Sequence, residues 1–258
     1  IYILWFIPSF SPDLSTENVV VMDFAGLPAS WTCLLPWHQE FSGKSIIEPV
    51  GKCVTMEKPK TYSLEGVRPV IDPTAYVHPT AVLIGDAIVG PRCYVGPGAV
   101  MRGDFGRVVM EEGSNLQDNC IMHAFPGMDC VIEVDGHIGH GAILHGCRVK
   151  RNALVGMNSV VMDGAIIGDS AMVAAMAFVK AGFEVPDGML AAGTPAKILR
   201  ALSDKEIAWK EEGTRDYQRL SERCHATLTL CDPLTEVEQN RPKLSAGESI
   251  PLFQTKRK

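Results

Sequence analysis

Between Val77 and Val179 the chain keeps time in sixes. Long or branched apolar residues stand at Val77, Leu83, Val89, Val95 and Met101, and again at Val155, Val161, Ile167, Val173 and Val179. Four places after each of the first four members of either run comes a small residue: Ala81, Ala87, Cys93 and Ala99, then Ser159, Ala165, Ala171 and Ala177. An amphipathic helix repeats every 3.6 residues and a half-buried strand every two, so neither keeps a small side chain at one phase in six. A parallel β-helix does. Three hexapeptides make one triangular coil of about eighteen residues, with the large residue pointing inward and the small one near a corner. Coils stack at the strand spacing of about 4.8 Å. The expected fold is therefore all-β, a left-handed parallel β-helix over residues 56–200.

The beat ends near "GTPAKILRALSDKEIAWKEEG". Ser203 with Glu206 three places on makes a capping box, and Tyr217, Leu220, Cys224 and Leu228 follow at helical spacing. A C-terminal helix over 201–231 is expected on the outside of the prism, followed by a polar, proline-broken tail over 232–258. Residues 1–55 show no sustained period. Their first ten, "IYILWFIPSF", are too short to span a bilayer, are interrupted by Pro8 and lack a basic flank. Regular sequence begins at Met56, so 1–55 are expected to be an upstream extension or a tag outside the fold. A net charge of -6 with few aromatics gives no electrostatic reason for a nucleic-acid or anionic-membrane partner. The eight cysteines form no C-x-x-C pair, which suits reduced thiols and a cytoplasmic location.

Four of the seven histidines crowd into "CIMHAFPGMDCVIEVDGHIGHGAILHGC", Cys120 to Cys147. Phase separates them. His123 follows inward Met122 and His145 follows inward Leu144, one coil plus four residues later, if the stretch Phe125 to Gly136 absorbs the four as a loop. These two imidazoles then share a face in adjacent coils. His140 lies two places after Ile138, on the preceding face, and could join the same ion only from a neighbouring prism in a three-fold assembly. Three imidazoles with an open position suit a catalytic metal, because water bound there is acidified to a pKa of about 7. Solvent-facing histidines are the bland alternative, and His137 is assigned to it.

The stretches "MRGDFGRVVMEEGSNLQDNCIMHAF" and "DGHIGHGAILHGC" resemble the γ-class carbonic anhydrases. From Met56 to about Lys243 the chain is also similar to the hexapeptide proteins of phenylacetic acid degradation and of the carnitine operon, through "YVHPTAVLIGD", "DNCIMHAFPG", "NALVGMNSVVMDGA" and "GTPAKILRALSDKEIAWK". The resemblance implies a homotrimer in which His123 and His145 of one subunit and His140 of the next hold Zn2+, or Fe2+ or Co2+. Gln117 would orient the metal-bound hydroxide, and Arg102, Asp104 and Asp118 would form the charged network that joins subunits and shapes the site. The implied activity is metal-dependent hydrolysis of acyl-CoA thioesters in phenylacetate catabolism. Three alternatives stand beside it: carbon dioxide hydration, acyl transfer from acyl-CoA, and non-catalytic support of pathway enzymes. Hydration needs a proton exit, for which Asp129, Glu133 and Asp135 are the candidates in the short loop. Lys197 and Arg200 resemble CoA-groove residues, or they simply mark the turn by which the chain leaves the prism.

Overall fold

The computed structural model describes residues 58–244 and 250–255; the expectation for residues 1–55 lies outside them. The described chain forms a parallel β-helix of about seven turns with a long C-terminal helix. Its three faces are defined by their inward residues. Val77, Val95, Leu116, Ile138, Val155 and Val173 line face I; Leu83, Met101, Met122, Leu144, Val161 and Val179 line face II; Val89, Met110, Ile132, Val149, Ile167 and Val185 line face III. All are buried, and each pairs in parallel register with its counterpart one coil on. The small residues fill the corners, with Ala81, Ala87, Ala99, Ala142 and Ala165 fully buried. Coils of two- and three-residue strands are stable because the hydrogen bonds run between coils and the apolar column runs through them.

The six-residue beat is broken at one corner only. Every step from face I to face II, and from face III to face I, is six residues. From face II to face III the step is six at Leu83 to Val89, but nine at Met101 to Met110, ten at Met122 to Ile132 and five at Leu144 to Val149. The first insertion extends the strand Val100–Met110 around the corner. The second is a turn closed by the Phe125–Met128 bridge, which holds the extra residues expected between Phe125 and Gly136. Where the first insertion begins, the coils touch backbone to backbone: a Cβ on Gly103 would lie 2.4 Å from the Asp86 carbonyl oxygen.

The helix Asp204–Thr227 starts at the expected capping box, with Ser203 and Glu206 bonded reciprocally. Its contact with the prism adds a buried polar row to the expected apolar stripe, of which Tyr217 faces Tyr94. The buried helix residues are Glu206, Lys210, Thr214 and Ser221, while Leu228 is exposed. Lys210 Nζ donates to the Asp135 carbonyl at 2.5 Å and to Asn152 Oδ1 at 2.8 Å. Gln218 Nε2 donates to the Gly113 carbonyl and to Asp135 Oδ1. Tyr217 packs against Tyr94, which stacks on Tyr76. The corner turns of a β-helix leave carbonyls unpaired at the surface, so a helix that covers them must bring donors. The tail returns to this helix, with Trp209 Nε1 donating to the Ile250 carbonyl at 2.7 Å.

Burial pushes the Lys210 ammonium down from 10.5 to about 7. An unfolded chain therefore binds one more proton than the folded chain between these values, and the unfolding free energy should rise with pH across that window, by up to about 1.4 kcal/mol per pH unit. The gain is complete above the unfolded value and lost as pH falls toward 7. Urea titrations of the native chain and of Lys210→Met at pH 7, 8 and 9 should show the slope in the first and not in the second.

Candidate functional site at the irregular corner

The two histidines expected to share a face are direct register partners, His123 against His145. Their rings lie 5.0 Å apart between centroids, with His123 Nδ1 3.0 Å from His145 Nε2. The other nitrogen of each ring meets a carboxylate. His123 Nε2 is 2.9 Å from Asp104 Oδ1, and His145 Nδ1 is 2.5 Å from Asp163 Oδ1. Asp104 also accepts from Arg102 Nη1 at 2.7 Å. Burial pushes the Asp104 carboxyl up, but the bonds from His123 and Arg102 outweigh it and hold the group below the usual carboxylate range. His123 is nearly buried.

These carboxylates fix the tautomers. A carboxylate is an acceptor, so each ring carries its proton on the nitrogen facing Asp104 or Asp163. Both nitrogens that face each other are then lone pairs at 3.0 Å. Two lone pairs in contact repel unless one positive centre lies between them, either a proton or a metal ion. The pattern of a carboxylate behind each imidazole is how metal-binding histidines are oriented.

His140 is elsewhere, in the turn at the corner of faces I and II, with its Nδ1 paired to Asp118. Gln117 lies on that side too. It is buried at 3% exposure, and its Nε2 contacts Asn115 Oδ1 at 3.0 Å and His137 Nε2 at 2.8 Å. The expected site residues therefore fall into two groups within one chain. Arg102, Asp104, His123 and His145 gather at the II/III corner; Gln117, Asp118 and His140 gather at the I/II corner. Face II separates them. No group of three metal-ligating side chains forms among the described residues of a single chain.

Three residues absent from the expected site complete the picture. Asp163 could have been found by adding one eighteen-residue coil to His145. Phe105, carried by the first insertion, stands 5.5 Å from His123 between ring centroids and is 60% exposed; Phe125, at the second, is 6.4 Å from His145. Two of the three candidate proton exits are engaged elsewhere: Glu133 pairs with Arg148 at 2.7 Å and Asp135 accepts from Gln218 at 2.9 Å. Arg200 is held by both oxygens of Glu206, and so closes the helix start rather than offering a free charge.

Fold and hexapeptide beat together define a β-helical protein of the hexapeptide-repeat transferase class. No family model matches this chain. It is 57% identical over 189 residues to the carnitine operon protein CaiE of Salmonella agona strain SL483, across 73% of this chain and 96% of that one. It is 55% identical over the same length and shares to CaiE of Escherichia coli K12. The chain belongs to the CaiE family of hexapeptide-repeat proteins. A putative acetyltransferase from Bacillus cereus superposes with a TM-score of 0.64 at 31% identity, covering 65% of this chain and 98% of its own. A hexapeptide transferase family protein from Anaplasma phagocytophilum gives 0.62 at 38% identity, covering 64% and 97%.

Proposed function

We propose that the chain cleaves acyl-CoA thioesters at a cation held by His123 and His145 of one subunit and His140 of the next, with water as acyl acceptor. The facing lone pairs of His123 and His145 carry this reading. Their 3.0 Å separation is close to the roughly 3.3 Å that two nitrogens adopt on one zinc ion with bonds of about 2.0–2.1 Å. His140, likewise backed by a carboxylate, is a third ligand of the same kind. When bound, such a cation polarises a thioester carbonyl and acidifies a water. Asp104 and Asp163 orient the two imidazoles so that His123 Nδ1 and His145 Nε2 face each other, Arg102 holds Asp104 in place, and Phe105 and Phe125 give the centre apolar walls that suit an apolar acyl group. With Glu133 and Asp135 committed elsewhere, carbon dioxide hydration would have to use Asp129 as its proton exit. Transfer to an amine or hydroxyl is the second reading, favoured by the transferase names of the two solved relatives.

Assembly follows from the same geometry. Outside face II, Val82, Val100, Ile121, Ile143, Val160 and Phe178 form a register-matched apolar column six coils long. Ile121 and Ile143 are 41% and 36% exposed. This column lies between the two half-sites, so copies that bury it bring the II/III corner of one against the I/II corner of the next. Such a contact is heterologous, and its three-fold closure would give a homotrimer.

Thiol release from a panel of acyl-CoA esters without acceptor tests the reaction. Cleavage that falls roughly a hundredfold on chelation and returns with Zn2+ supports it. Release that requires an added amine or hydroxyl favours transfer. Full activity in metal-free protein would overturn the cation centre.

A further inference from the structure

His137, which sequence phase assigns to no site, is half-buried beneath the helix Asp204–Thr227 and edge-on to Tyr217 at 5.3 Å. Its ring joins three polar side chains. Nε2 meets Gln117 Nε2 at 2.8 Å; Nδ1 lies 3.3 Å from Thr214 Oγ1 and 3.2 Å from Asn115 Nδ2. Thr214 Oγ1 in turn is 3.3 Å from the Lys210 carbonyl oxygen. Amide and imidazole orientations follow from which assignment satisfies most groups. With the ring proton on Nδ1, Gln117 donates to Asn115 Oδ1 and to His137 Nε2, His137 donates to Thr214, and Thr214 donates to the Lys210 carbonyl. Four hydrogen bonds form, with the Asn115 amino group facing the Nδ1 proton as a second donor; turning both amides over replaces that conflict by one between two acceptors, Asn115 Oδ1 and the bare Nδ1. With both amides turned over and the proton on Nε2, only three form, because the single Thr214 proton serves either His137 or the carbonyl. Turning Gln117 alone sets its oxygen against Asn115 Oδ1. Burial, with Lys210 nearby, pushes the imidazole down to about 3, so the ring stays neutral.

In the four-bond arrangement both Gln117 N–H groups are used, and Oε1 is left without a partner in the chain. That oxygen is not sealed in the interior. We propose that His137 is a positioning residue: it holds the Gln117 amide so that its oxygen, and not its N–H, is presented at the corner carrying Asp118 and His140. Thr214 makes the helix part of that device, which accounts for a polar helix seat at this point. An oxygen there accepts a proton-bearing group, such as a water or acceptor attacking the acyl carbon, and rejects another acceptor. This consequence rests on the function proposed above; the orientation of the amide does not.

The nitrogen-15 spectrum of the His137 ring in the intact protein is the direct test. It should show protonated Nδ1 and unprotonated Nε2 from pH 6 to 8, and the reverse tautomer would overturn the assignment. Paired variants then separate positioning from bulk. His137→Gln keeps an acceptor within reach of the Gln117 N–H, whereas His137→Asn keeps only the side toward Thr214. Thioester kcat should fall about tenfold or more in His137→Asn, with little change in KM, and recover most of that loss in His137→Gln. Melting temperatures should drop alike in both. Equal loss of kcat in the two variants would overturn the positioning role. If the native protein cleaves no thioester, the proposed function falls and the ring tautomer still decides the placement of Gln117.

Discussion

Co-expressing His123→Ala subunits with His140→Ala subunits should restore about a quarter of the native sites, although each variant alone binds no metal and cleaves no thioester. A native-like interface in the mixture needs a subunit intact at His123 and His145 beside a neighbour intact at His140. Random assembly supplies each with a probability of about one half, and their product sets the yield. Geometry makes the expectation sharp. His123 and His145 are register partners at the II/III corner, while His140 pairs with Asp118 at the I/II corner. If one chain held all three ligands, no mixture of the two variants would recover anything. Metal per subunit, measured on the mixed assembly, and thiol release from acyl-CoA should rise together. Failure of both, with assemblies of normal size, would overturn the shared centre.

Much of this was legible because hexapeptide phase converts sequence number into position. The inward columns follow from counting, and so does the separation of His140 from His123 and His145. The register partnership of the latter two needed only that four residues be set aside as a loop. What counting could not supply lies where the count changes. Asp104 and Phe105 belong to a three-residue insertion, and Phe125 to a four-residue one, so their directions depend on backbone that obeys no repeat. Three irregular steps in succession at one corner were nevertheless visible as a departure from a strict rule, and such departures gather at functional sites. The helix seat was legible only in part. Its apolar spacing places Tyr217 on Tyr94 as expected, but beside that contact lie turns whose carbonyls accept from Lys210 and Gln218, partners that no apolar period announces. His137 reads in sequence as a solvent-facing bystander because its partners come from 77 and 20 residues away.

Adjacent residues of one strand should separate folding from assembly. Leu144 points inward and is fully buried between Met122 and Val161; Ile143, its neighbour, points outward and is 36% exposed. Leu144→Ala removes methyl groups from a packed column and leaves a cavity, so it should cost about 2–5 kcal/mol of unfolding free energy. Ile143→Asp places a charge in the apolar column outside face II, where a lone chain leaves it hydrated and an assembled one must bury it unpaired, at a cost of several kcal/mol per contact on the order expected for uncompensated buried charge. Ile143→Asp should therefore give a folded monomer by sedimentation, with native circular dichroism, no metal and no thioester cleavage. Leu144→Ala should keep its assembled mass and metal at low temperature and lose them only as it melts. A monomeric Ile143→Asp chain that still bound metal would show the cation centre to be complete within one prism, and an Ile143→Asp chain of native mass would place the interface on another face.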